Sequence, residues 1–165
     1  MRHIGTTIAA CLLAAALTAC GIGSSTTTEA SAPSPSAATS APTKAEKLNA
    51  WFDDGGQDHL DTISDDLDDV ISHMGATDLD ELAESCAKLT SDVETIQGGQ
   101  PMPDAKAASS WGLALEHLNS AATHCTNGAV SMDVDEINQM TAELKIGTNH
   151  VDAMNERLDM IRNGN

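Results

Sequence analysis

Apolar residues at Leu60, Ile63, Leu67, Val70, Ile71 and Met74 recur at three- and four-residue intervals, and this spacing constrains the fold more than any other feature of the chain. A stripe of this kind lies along one side of an α-helix, whereas a strand would throw it onto both faces. The same period returns at Leu79, Leu82, Cys86, Leu89, Val93 and Ile96, and again at Trp111, Leu115, Leu118, Ala122 and Cys125. It returns a last time at Ile137, Met140, Leu144, Val151, Met154, Leu158 and Ile161. No stretch alternates apolar and polar residues as a half-buried strand does. Four amphipathic segments joined by short connections predict an all-α fold, an antiparallel four-helix bundle over residues 44–165.

Helix boundaries follow from caps and breakers. Thr43 with Glu46 three residues later has the pattern of a capping box. It opens a short extra N-terminal helix, Lys44 to Asp54, which carries Trp51 and Phe52 and is expected to stop at Gly55-Gly56. The long helices are expected over 57–74, 78–97, 104–127 and 133–163. Gly75, Gly98-Gly99 and Gly128 are read as their stops. Gln100-Pro101-Met102-Pro103 should be extended, because proline disfavours helix in the residue before it. Gly147-Thr148-Asn149 is expected to weaken and kink the last helix. Tyrosine is absent, phenylalanine occurs once and tryptophan twice, so the core must be aliphatic with methionine filler. Trp51 and Trp111 are core candidates, and they are also the residues to line a cleft for an apolar ligand.

Cys86 and Cys125 both fall in phase with their stripes, which predicts a buried disulfide between the third and fourth helices. Closing that loop is worth roughly 3–4 kcal/mol by the chain-entropy argument. A hairpin mirrored near Gln100 would leave the two cysteines roughly 16 Å out of register at the helical rise, too far for a disulfide. The 98–103 linker is expected to remove that offset by running downward before helix four turns back.

The first forty residues have a different character. Arg2 is followed by an apolar run, Ile8 to Leu17, and then by Leu17-Thr18-Ala19-Cys20. The run is about ten residues, half of what a membrane-spanning helix needs. Together these parts resemble the lipobox of a bacterial lipoprotein signal peptide. The resemblance implies removal of residues 1–19 and a diacylglyceryl group on Cys20. The mature chain would then sit on the extracytoplasmic face of the cell membrane, held there by lipid. In that compartment an even pair of remaining cysteines is expected to be oxidised. Residues 20–43 supply the lipidated cysteine and a Ser/Thr/Pro/Ala-rich tether with almost no large apolar side chain to bury. A coil of this size spans roughly 25 Å. A second set of features is similar to small actinobacterial exported lipoproteins. They are Trp51 with Gly55-Gly56, Cys86 with Leu89, and Pro101-Met102-Pro103-Asp104 leading to Trp111, Ala114-Leu115 and Cys125. That resemblance implies a helical, disulfide-linked, exported domain and brings no reaction, ligand or catalytic residue with it.

A formal net charge of −17 argues against nucleic acid, whose binding rests on Lys and Arg neutralising phosphates. It also repels the domain from an anionic lipid surface, and it suits basic protein surfaces or cations. The densest charge is Asp53, Asp54, Asp58, Asp61, Asp65, Asp66, Asp68 and Asp69. Asp58, Asp61, Asp65, Asp68 and Asp69 have roughly helical spacing and could hold Ca²⁺ or Mg²⁺ loosely, but neither they nor Asp133-Val134-Asp135 follow the EF-hand order. A solvated face is the preferred reading. His59, His73, His117, His124 and His150 lack the Glu-x-x-His spacing of di-iron bundles. No metal and no cofactor is assigned. Ser109 or Ser110 with His117 or His124 would be needed for a hydrolase, yet no Gly-x-Ser-x-Gly elbow occurs, so no catalytic residue is assigned. The expectation is a binding or interaction module in the cell envelope with a protein partner. A carrier of a small ligand or divalent cation ranks second and an envelope hydrolase third.

Overall fold

The computed structural model describes residues 40–76 and 78–164. The signal-like segment, Cys20 and the tether up to residue 39 lie outside the described residues, as does Thr77. The described residues form an all-helical bundle. A short α1 (Lys44–Trp51) is followed by α2 (Gln57–Ala76), α3 (Leu79–Gln97), α4 (Ala105–Ser131) and α5 (Val134–Arg162).

Local chemistry starts α1, α3, α4 and α5 at capping residues. The Thr43 hydroxyl accepts from Glu46 N at 3.2 Å, and the Glu46 carboxylate accepts from Thr43 N at 2.7 Å. Asp78, Asp104 and Asp133 cap α3, α4 and α5 by accepting from free amides of the first turn. The expected stop at Gly55-Gly56 takes a different form. Phe52–Gly56 makes one wide π-turn that leads straight into α2. Gly55 takes φ +105°, and a Cβ on Gly56 would fall inside the Trp51 ring. Gly56 therefore lets the chain cross the indole face.

Two glycines read as breakers lie inside continuous helices. α4 passes through Gly128 and ends only at Met132, whose φ of +56° supplies the left-handed cap. A Cβ on Gly128 would stand 2.7 Å from Ile137 Cδ1 of α5. α5 runs through Gly147 uninterrupted, and a Cβ there would stand 3.0 Å from Leu118 Cδ2 of α4. Both glycines serve the close approach of the two longest helices. Buried Ala107, Ala114 and Ala121 continue the seven-residue spacing back from Gly128, and buried Met140, Met154 and Ile161 flank Gly147 at the same spacing on α5. Small residues on one helix thus accept large ones from the other. Along the edge of this pair run Glu136–His124 at 2.6 Å, Glu143–His117 at 2.6 Å and Arg157–Asp104 at 2.9 Å.

Cys86 and Cys125 form a disulfide between α3 and α4, with Cα atoms 6.0 Å apart. From that bridge α3 rises about 16 Å to its end, while α4 extends about 30 Å back to its start. The 98–104 linker therefore runs onward in the direction of α3, opposite to the downward course expected from the sequence. The extra length of α4 and α5 is where α1 packs. The neighbours are α2–α3, α3–α4 and α4–α5, with α1 against α5. The first and last long helices differ: among the described residues, no Cα of α2 lies within 8 Å of a Cα of α5.

Candidate binding site

The two tryptophans separate. Trp51 is 4% exposed, covered by Gly56 and edge-on to Phe52, and its Nε1 donates to Gln100 O at 3.2 Å. Trp51 lines neither of the two clefts beside Trp111. Trp111 forms the floor of a 270 Å³ cleft between α2 and α5, with Leu60, Ile63 and Leu67 of α2 on one side and Val151 and Met154 of α5 on the other. Its opposite edge lines a second depression, 210 Å³, beside His59 and Gly99.

The carboxylates of α2 also divide. Asp58, Asp61, Asp65, Asp68 and Asp69 are exposed, while Asp66 is buried against α3. Lys88 Nζ donates to Asp66 Oδ1 and, at 2.8 Å, to Asp92 Oδ2. Asp66 Oδ2 is buried without a partner. Burial pushes the Asp66 carboxyl up, Lys88 opposing it, and the two carboxylates hold the Lys88 ammonium well above its ordinary value. In the sequence Asp66 belongs to the acidic run but not to its helical face, and it falls in phase with Ile63 and Val70. Among the described residues no group of three or more His, Cys, Asp or Glu is arranged to hold a metal ion.

The serines expected for a hydrolase bond to no histidine: Ser109 is exposed, and His117 and His124 are engaged by Glu143 and Glu136. A different serine meets a histidine. His73 Nδ1 stands 2.7 Å from Ser85 Oγ and its Nε2 is 3.5 Å from Glu81 Oε2. Ser85 donates its own hydroxyl proton to Glu81 O at 3.0 Å, so its oxygen is left to accept from His73. That direction is the reverse of a nucleophile–base pair. The group pins α2 to α3.

At the α4–α5 turn, Val130, Met132 and Val134 are 75%, 77% and 70% exposed. Met132 shares a shallow depression with Ala76, Asp78, Leu79 and Asp80 of the neighbouring turn. Asp133 and Asp135 complete an acidic rim around this apolar tip. Met132 is also the one described residue other than glycine with a positive φ, a place where glycine or asparagine is the unstrained choice. The tip lies about 40 Å from the start of α4 at the helical rise, where Lys44 Nζ stands 3.9 Å from Asp104 Oδ2. The tip and the entry of the chain at α1 therefore mark opposite poles. Sequence reasoning missed the tip; its signal is that Val130 and Val134 fall outside the apolar stripes.

No family model, curated protein or solved structure matches this chain. Among the described residues no helix is long and apolar enough to cross a membrane.

Proposed function

We propose that the chain is a lipid-anchored extracytoplasmic binding module that presents its distal tip to an envelope protein. Cys20 carries the anchor, residues 21–43 the tether, and the bundle holds the tip away from the membrane. The observation that carries the reading is the exposed Val130–Met132–Val134 cluster at the pole opposite α1. Apolar side chains on a strained turn are unfavourable for an isolated domain and favourable in a contact. The partner surface complementary to it is apolar at its centre and basic around it, because Asp78, Asp80, Asp133 and Asp135 surround the tip.

The Trp111 cleft supports a second reading, a carrier for a small apolar ligand. Its 270 Å³ is below the size of sites that bury most of a small molecule, which ranks this reading lower.

Two measurements test the proposal. Intact mass of the membrane-extracted protein should show a diacylglyceryl group on Cys20; an unmodified chain overturns the anchor. A photoreactive residue at position 132 should give a discrete crosslinked species in intact cells, absent when the probe is at position 106. Equal products from both positions, or none from 132, overturn the tip.

A further inference from the structure

A depression of 340 Å³ opens where α1, the start of α4 and the last turns of α5 meet, and four of its lining residues are cations. They are Lys44 and Lys47 of α1, Lys106 of α4 and Arg157 of α5, half of the eight Lys and Arg in a chain of net charge −17. The one carboxylate in the lining is Asp104. It is already held. Arg157 donates to both of its oxygens, at 3.0 and 2.9 Å, and Lys44 Nζ stands 3.9 Å from Oδ2. The amides of Lys106 and Ala107 donate to Oδ1. Asp104 thus takes amides of the first turn of α4, and a ligand here meets side chains rather than the helix start.

The helices themselves do not balance this charge. Residues three and four apart share a helix face, and none of the four cations has a carboxylate at those positions. Lys88 and Arg162 differ, because Asp92 and Asp159 stand at such positions and pair with them. Glu156 and Asp159, one and two residues from Arg157, leave its face. Glu46, between Lys44 and Lys47, is turned to the amide and hydroxyl of Thr43. Asp53 and Asp54 come roughly 10 Å beyond Lys47 along the helix axis. Among the described residues, neither Lys47 nor Lys106 pairs with a carboxylate. Exposed charges beyond about 8 Å are largely screened at physiological ionic strength. At this place the local cations therefore outweigh the acidic remainder of the chain.

We infer that this depression is a binding site for a phosphate-bearing anion. One carboxylate is built in as Asp104, and it leaves positive charge over. A phosphate group brings about two charges and three acceptor oxygens, which suits ammonium and guanidinium groups supplied by three helices. The volume lies at the lower end of small-molecule sites. The phosphate belongs either to a free anion or to a lipid headgroup, since the chain enters α1 beside the site, at Thr43. The site lies at the pole opposite the Val130–Met132–Val134 tip and needs no anchor, so it stands or falls apart from both.

The oxidised full-length chain, carrying Cys20→Ala to keep acylation out of the measurement, is titrated with inorganic phosphate and with pyrophosphate by calorimetry. Both should bind, and more weakly as salt rises. Lys47→Gln with Lys106→Gln changes two exposed, unpaired side chains and should leave the fold intact by circular dichroism. It should weaken binding about tenfold or more. Lys145→Gln, a cation outside the lining, should leave binding unchanged. The same chain is then sedimented with phosphatidylcholine vesicles, with and without phosphatidate. Retention that needs phosphatidate and is lost in the double lysine variant assigns the site to a headgroup. Heat with the free anions and no such retention assigns it to a soluble phosphate. Either result supports the site. No heat with either anion together with no phosphatidate-dependent retention overturns it. So does equal binding of succinate, a dianion without phosphate, or an equal loss on Lys145→Gln.

Discussion

Replacing Lys88 by Met separates what the buried Asp66 costs from what its partner returns. The Asp66 side chain has no solvent exposure, one oxygen meets Lys88 Nζ, and the other has no partner. Methionine keeps most of the lysine stem and removes the ammonium. An ionised carboxylate is then left uncompensated between α2 and α3. Breaking a buried pair in this way costs 3–5 kcal/mol in general. About 3 kcal/mol is expected here, because the Lys88 side chain is 54% exposed and water can reach the gap. The lost pair with Asp92 is of the i,i+4 kind and adds only about 0.5 kcal/mol. At an m-value near 1.5 kcal/mol/M the urea midpoint should fall by about 2 M at pH 7. The pH dependence carries the decisive sign. Burial raises Asp66 in the folded state above its unfolded value, so the folded state takes up a proton more readily. Protonated Asp66 needs no ammonium. The deficit of Lys88→Met is therefore full well above the folded value and shrinks as the pH falls towards the carboxylate range. The double variant Asp66→Leu with Lys88→Met should recover most of the loss at pH 7. A deficit under 1 kcal/mol at pH 7, or one unchanged between pH 7 and pH 4, would refute the reasoning.

Three further outcomes are expected. Asp104→Asn removes the charge that Arg157 grips with two hydrogen bonds, while asparagine can still cap α4, so its urea midpoint should fall at pH 7 by what a lost charged pair, about 1 kcal/mol, produces. Arg157 holds Asp104 well below the usual carboxylate range, so this contribution is present above the unfolded value of 3.8 and fades as the pH falls through the folded one. Unfolding at pH 2 should show a smaller difference than at pH 7. Gly56→Ala places a methyl against the Trp51 ring and should cost about 1–3 kcal/mol, with a red-shifted tryptophan emission as Trp51 becomes wetter. Met132→Gly relieves a left-handed backbone and should raise the thermal midpoint, a gain of about 1 kcal/mol. A drop in the midpoint would remove the argument from strain.

Helices and caps were legible because they are local. Thr43–Glu46, Asp78, Asp104 and Asp133 announce four starts, and the apolar period announces the buried faces. Gly128 and Gly147 were misread because their reason lies across the helix pair, in Ile137 and Leu118, and a single sequence does not show which side chain faces a glycine. The direction of the 98–104 linker needed the disulfide as a fixed point: with Cys86 and Cys125 level, the lengths of α3 and α4 decide it. Asp66 was readable by phase but hidden among its exposed neighbours. The separation of α2 from α5 was not readable at all, because both helices carry the apolar rows of a closed bundle.

The position of the disulfide has a mechanical consequence. A load applied between Thr43 and Met132 enters through α1, passes down α2 and up α3 to Cys86, and crosses to Cys125 before reaching the turn. Residues 87–124 lie outside that covalent path. Pulling can draw out α1, α2 and the first part of α3, but the rest of α3, the linker and most of α4 cannot lengthen the chain while the bridge holds. The bridge acts as a stop on extension: a tug that strips the first hairpin still leaves the paired α4 and α5 carrying the tip.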